Sequence, residues 1–254
     1  MLEICVEDHA GLAAAVDGGA DRIEVCGALA IGGITPSAGL IAAAAALPVP
    51  AHVLLRPRGG DFVHGADEEA ILAADLDRAA QAGVAGIVIG ATTTEGMLDA
   101  ALLARLIARA RGWSEHRAVP LSITLHRAFD LCADQSAALE TAVSLGFDRI
   151  LTSGGAVTAL AGRDRLAALV VQAGGRIGIL PGSGIDADTA PAILATGVSE
   201  LHASCGVSVT QHPDLVRLGF APPTSRQTDR DRISALKAVL LEGREKLRLS
   251  KTNS

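Results

Sequence analysis

One heptapeptide pattern recurs four times along this 254-residue chain. It opens on glycine and runs into an apolar stretch: Gly19-Ala20-Asp21-Arg22-Ile23-Glu24-Val25, Gly83-Val84-Ala85-Gly86-Ile87-Val88-Ile89, Gly146-Phe147-Asp148-Arg149-Ile150-Leu151-Thr152 and Gly197-Val198-Ser199-Glu200-Leu201-His202-Ala203. Each reads as a helix ending on a residue that tolerates φ > 0, with a strand starting a few residues later. Between these segments the same alternation continues, short apolar runs followed by Ala/Leu-rich stretches of helical period. Eight runs emerge, at residues 2–6, 22–25, 51–55, 86–89, 121–125, 149–151, 176–179 and 198–201.

Eight strands alternating with helices predict a single-domain α/β fold, the (β/α)8 TIM barrel, which typically takes roughly 250 residues. A doubly wound open sheet has no reason to repeat so regularly. The barrel core is expected over residues 1–205. Beyond it, Pro213, Pro222 and Pro223 break the pattern before 229–247 turns amphipathic, so 206–254 is expected to be a carboxyl-terminal tail with a closing helix, part of the same domain.

Although 49% of the residues are hydrophobic, no unbroken apolar run approaches the roughly 20 residues that cross a bilayer. The start, Met1-Leu2-Glu3-Ile4-Cys5-Val6, reads as a strand and not as a secretory signal. A cytoplasmic protein with no membrane span is expected. The net charge of −6 argues against nucleic acid as a partner, since phosphate backbones demand clustered lysine and arginine. All three lysines, Lys237, Lys246 and Lys251, lie in the tail. The barrel therefore offers no amine for a Schiff base, which excludes lysine-dependent aldolase chemistry. No organic cofactor is evident, and homo-oligomerisation stays open.

Alternate strand residues face opposite sides of a sheet. With Leu2, Ile4 and Val6 turned outward, Glu3 and Cys5 point into the barrel, as do Arg22, Glu24 and Cys26 from the second strand, Ser122, Thr124 and His126 from the fifth, and Glu200, His202 and Ser204 from the eighth. Branched aliphatics normally fill this space, and a buried charge without a partner is costly. Glu3 and Glu24 therefore require partners such as Arg22 or Arg56.

Barrel active sites lie at the carboxyl ends of the strands. After the third strand comes Leu55-Arg56-Pro57-Arg58-Gly59-Gly60-Asp61-Phe62, where the forks of Arg56 and Arg58 could bind an anion bidentately. After the sixth and seventh come Thr152-Ser153-Gly154-Gly155 and Pro181-Gly182-Ser183-Gly184, whose backbone N–H groups could cradle phosphate or another small anion. His126, followed by Arg127 and Asp130, is placed to act as acid, base or ligand, and Glu24 and His202 are candidates for moving protons. Solvated turn charges, a satisfied core histidine and glycines that merely permit tight turns are the plain alternatives.

Cys5 and Cys26 end neighbouring strands on the same inner face, and such strands run roughly 4.8 Å apart. Two thiolates there could grip one soft ion, Cu(I). The competing reading is a pair of small buried hydrophobes. Cys132 and Cys205 are weaker candidates, and without a C-x-x-C pair neither a zinc ribbon nor a disulfide framework is expected.

Taken together, these segments resemble the CutC copper-homeostasis family. The resemblance is carried in order by Glu3-Ile4-Cys5-Val6, the 19–26 segment, Gly32-Gly33-Ile34-Thr35-Pro36-Ser37, Arg56-Pro57-Arg58-Gly59-Gly60-Asp61-Phe62, His126-Arg127-Ala128-Phe129-Asp130, Leu151-Thr152-Ser153-Gly154, Pro181-Gly182-Ser183-Gly184 and Glu200-Leu201-His202. It implies a cytoplasmic (β/α)8 barrel concerned with copper tolerance or trafficking, with Cu(I) on the cysteines matching Cys5 and Cys26. Ser183 stands where many members have glycine, and the tail after Cys205 matches less well.

Two functions of different kinds are thus in play. One is a copper-handling protein holding Cu(I) between Cys5 and Cys26. The other is an enzyme that binds a small anionic or phosphorylated metabolite through Arg56, Arg58 and the glycine loops, with Glu24, His126 or His202 moving protons.

Overall fold

The computed structural model describes residues 1–115 and 117–252. Eight parallel strands form the sheet: β1 (Leu2–Val6), β2 (Arg22–Val25), β3 (Ala51–Leu54), β4 (Gly86–Ile89), β5 (Ser122–Leu125), β6 (Arg149–Thr152), β7 (Gly178–Pro181) and β8 (Leu201–Ala203). Their hydrogen-bonded order runs β7-β6-β5-β4-β3-β2-β1-β8, which nearly closes a TIM barrel. Between the strands lie α1 (His9–Asp17), α2 (Ala38–Ala45), α3 (Ala66–Ala82), α4 (Ala100–Ser114), α5 (Gln135–Leu145), α6 (Arg163–Ala173) and α7 (Ala190–Leu194). Short polar side chains start several of them: Asp8 accepts from Gly11 N, Ser37 from Leu40 N and Asp99 from Leu102 N.

The four repeat glycines do what the pattern predicts. Gly19, Gly83, Gly146 and Gly197 have φ of 84°, 90°, 83° and 93°, a region that costs a side chain. The Asp-Arg pairs inside the repeat also act alike, half a barrel apart. Asp21 Oδ2 accepts the β1 amide of Leu2 at 2.8 Å, and Asp148 Oδ2 accepts the β5 amide of Ile123 at 2.6 Å. The arginines that follow, Arg22 and Arg149, converge on Glu200, at 2.7 and 3.6 Å. The repeated dipeptide thus ties the start of β2 to β1 and the start of β6 to β5, and supplies charge to the barrel floor.

The apolar core lies between sheet and helices. Leu2, Ile4, Val6, Ile23, Val25, Ile87 and Ile89 face Leu72, Leu76, Leu102 and Leu103 in one buried cluster. Area removed from water at about 25 cal/mol per Å² makes this layer the main source of stability. The barrel interior, in contrast, is polar: Glu3, Arg22, Glu24, His52, Thr124 and His202 are all buried there.

The structure corrects the expected boundaries at the end of the barrel. β7 begins at Gly178 instead of residue 176, and β8 at Leu201 instead of 198; the apolar Val198 is buried ahead of the strand and does not pair in it. The tail holds more than a helix. β9 (Gly206–Thr210) and β10 (Thr224–Thr228) form an antiparallel pair around α8 (Pro213–Arg217), and α9 (Arg230–Thr252) follows. β10, Thr-Ser-Arg-Gln-Thr, has no apolar residue to mark it. α9 docks through buried Ile233, Leu236 and Leu240, and Lys237 pairs with Asp21. Among the described residues no helix is long and apolar enough to cross a membrane.

Candidate functional site

The polar interior is layered along the barrel axis. At the floor Arg22 is bonded to Glu3 and to Glu200, while Arg149 reaches Ser122 Oγ at 2.7 Å and Thr124 Oγ1 at 3.1 Å. One level up, Glu3 Oε1 lies 2.7 Å from His202 Nδ1, and His52 Nδ1 stands 4.0 Å from the other Glu3 oxygen. Above that, His202 Nε2 faces Glu24 Oε2 at 3.7 Å. The thiol of Cys5, the carboxylate of Glu24 and the imidazole of His202 present ligand atoms that all lie within 4.8 Å of one another.

Strand register makes this trio. β1 and β2 pair Cys5 with Glu24, and β1 and β8 pair Glu3 with His202. Cys26 is therefore not opposite Cys5 but two residues further along β2, a rise of roughly 6.6 Å. The two thiols nevertheless share one small cluster with Leu54 and Val88, apart from the main core. Inward parity is readable from sequence; the register that brings Glu24 and His202 to Cys5 is not.

Charges in this space are strongly perturbed. Burial alone would lift the Glu3 carboxyl, but the His202 hydrogen bond and the Arg22 charge hold it well below the usual carboxylate range. Burial lifts Glu24 to about 7, with His202 pulling down and Glu3 pushing up. Burial would lower His202; the Cys5 sulfur and the Glu3 and Glu24 carboxylates overcome it and raise it well above an ordinary histidine. The Cys26 thiol is pushed up by burial and by Glu24. Carboxylate, imidazole, carboxyl and thiol are thus gathered in one buried group.

Other expected site residues are bonded to groups of the chain itself. Arg56 spends its guanidinium on three carbonyls of its own neighbourhood, Ile31 at 3.2 Å, Gly33 at 2.9 Å and Gly60 at 2.6 Å, and lies 4.6 Å over the Phe62 ring. Arg58 is held by Glu68 and Asp61. Both staple the loop after β3. His126 accepts from Ala128 N at 3.1 Å and packs against Phe62 at 4.8 Å between ring centroids. Burial lowers it to about 3, and Gly90 leaves no room for a Cβ beside its ring. It is not among the ligand atoms gathered at Cys5.

The glycine loop after β6 does cradle an anion, and the anion is the chain's own Asp130. That carboxylate accepts from Thr152 Oγ1, from Ser153 N at 3.1 Å, from Gly155 N at 3.0 Å and from Ser153 Oγ at 3.1 Å. The loop carrying Gly182, Ser183 and Gly184 is different: Ser183 and Gly184 line a cavity of about 690 Å³ that also borders Cys5, His202 and Arg127. The sequence reading missed two further lining arginines: Arg226, because β10 carries no strand signal to place it, and Arg232, because nothing in the helical pattern of α9 shows that its first turn reaches the barrel mouth.

The class so defined is a (β/α)8 barrel protein with a thiol, an imidazole and a carboxylate at its mouth that could hold a metal ion. Comparison with known proteins narrows this. The CutC family model matches residues 1–207. A CutC family protein of Sinorhizobium medicae is 48% identical over 94% of this chain and 96% of its own, and one of Caulobacter vibrioides is 46% identical over 94% and 96%. The solved CutC of Streptococcus agalactiae, whose name assigns it provisionally to copper homeostasis, is 31% identical with a TM-score of 0.74, over 80% of this chain and 98% of that one. The chain belongs to the CutC family.

Proposed function

We propose that this chain handles copper in the cytoplasm, binding Cu(I) through Cys5 and His202 Nε2 with Cys26 as the second thiolate. The observation that carries this reading is the mutual approach of the Cys5, Glu24 and His202 ligand atoms within 4.8 Å, on the wall that also holds Cys26. Thiolate and imidazole suit Cu(I) far better than they suit the hard cations. Glu3 supports it from behind: a carboxylate on Nδ1 fixes the tautomer and ring orientation of a histidine that ligates through Nε2. Four free, buried cysteines fit a reducing compartment. The name of the Streptococcus agalactiae relative supports the same assignment.

Anaerobic competition for Cu(I) with a chromophoric chelator tests this. Cys5→Ser, Cys26→Ser and His202→Ala should each weaken binding greatly, while Cys132→Ser should not. Unchanged affinity in Cys5→Ser ends the proposal.

One observation favours a second reading. Glu24, lifted to about 7 and 3.7 Å from His202, which lines the cavity, has the acidity of a general acid/base at neutral pH, which fits an enzyme working on a small anionic metabolite.

A further inference from the structure

The cavity above Cys5 and His202 has a positive, donor-rich wall that copper binding does not use. Arg226 from β10 and Arg232 from the first turn of α9 both donate to the carbonyl of Gly206, at 2.6 and 3.2 Å. Neither has a carboxylate within ion-pair distance among the described residues, unlike Arg22, Arg58, Arg105, Arg109 and Arg176. Arg127, anchored by Asp130 and Ser153, adds a third guanidinium to the lining.

Backbone donors meet the arginines there. Ser183 and Gly184 stand in the left-handed region, with φ of 81° and 70°. That conformation is costly for serine and is tolerated chiefly where the surroundings impose it. It leaves the N–H groups of Ser183, Gly184 and Ile185 without an acceptor among the described residues. Successive N–H groups at such a bend form an anion-binding concavity. The Ser183 hydroxyl is tied to Val157 O at 2.8 Å, so the loop is held in this shape.

Two acids share the lining. Asp186 is committed to its own turn, accepting from Thr189 N at 2.9 Å, Asp188 N at 3.2 Å and Thr189 Oγ1 at 2.8 Å; Asp188 is exposed on the surface. Three arginines and His202 outweigh them.

From this we infer that the cavity is a binding site for a small phosphorylated metabolite, its phosphate held by the Ser183 to Ile185 amides together with Arg226 and Arg232. A tetrahedral oxyanion accepts from several directions at once, which matches amides on one side and guanidinium forks on the other. The position agrees with the fold, whose phosphate sites gather after strands seven and eight. A volume of about 690 Å³ far exceeds what phosphate alone fills and lies within the range of small-molecule pockets. The organic part of the ligand therefore extends over Cys5 and His202. The inference goes beyond the copper assignment and does not depend on it.

The probes are ribose 5-phosphate and inorganic phosphate, added to the metal-free full chain at constant chloride ionic strength and followed by calorimetry and thermal shift. Ribose 5-phosphate should bind and raise the melting temperature, more strongly than phosphate alone. Arg226→Gln/Arg232→Gln should weaken it by about tenfold or more, the loss expected for charge-assisted hydrogen bonds, whereas Arg78→Ala, an exposed arginine on α3, should leave it unchanged. Circular dichroism checks that the double variant is folded, and either single glutamine variant serves if it is not. Absence of binding by both probes at about 10 mM, or equal binding by wild type and a folded arginine variant, overturns the site.

Discussion

Glu3 and His202, on the two strands β1 and β8 that meet across the seam of the repeat, are joined at 2.7 Å through Nδ1. The contact assigns Nε2 to whatever the barrel mouth receives. It also lets the buried Arg22–Glu3 pair reach the site, because Glu3 accepts from Arg22 with its second oxygen.

Glu3→Gln keeps the shape of this link and removes its charge. Cu(I) affinity should fall about 10- to 100-fold, the usual effect of losing a supporting carboxylate. Stability should fall too, by about 3–5 kcal/mol, since a buried ion pair loses one partner. Chelator competition and urea unfolding report the two separately.

Acid should destabilise the protein through His52 and His126. Burial lowers each to about 3, against about 6.5 in an unfolded chain, so the unfolded state binds more protons between these values. Their contribution is complete above pH 6.5 and is lost as pH falls from there toward 3, with a slope of up to about 1.4 kcal/mol per pH unit for each histidine. Urea midpoints measured at pH 7, 6, 5 and 4 should fall more shallowly for a folded His52→Gln variant; identical slopes would contradict this.

Asp130→Asn should open the loop after β6. The native carboxylate satisfies Thr152, Ser153 and Gly155 together with Arg127, and an amide cannot accept all of these bonds. A loss of about 2–4 kcal/mol is expected, measured by urea unfolding.

Arg56→Lys should destabilise the protein without altering Cu(I) or phosphate-ester binding. A lysine cannot reproduce a planar fork that bridges the carbonyls of Ile31, Gly33 and Gly60. Thermal unfolding together with titration of the variant checks both halves.

What was legible in the sequence was whatever repeats or alternates. The four glycines, the eight strands and the inward parity of Glu3, Cys5, Glu24 and His202 follow from periodicity alone. That Arg56 and Arg58 bond carbonyls of their own loop was not legible, because an arginine on an active-site loop looks the same in sequence whatever its donors meet. Asp130 was visible only as a neighbour of His126, because a glycine-rich cradle does not show that its anion is already part of the chain. Arg226 and Arg232 lie 20 or more residues beyond Cys205, and only the β9–β10 pairing brings them back over the mouth.

The central claim is a sulfur and imidazole site for Cu(I) at the barrel mouth, and X-ray absorption of the protein loaded anaerobically with one equivalent of Cu(I) tests it most directly. The account predicts a first shell of sulfur with one imidazole, the imidazole signal vanishing in His202→Ala and sulfur diminishing in Cys5→Ser. A shell of oxygen and nitrogen without sulfur, or one that neither substitution changes, would contradict it.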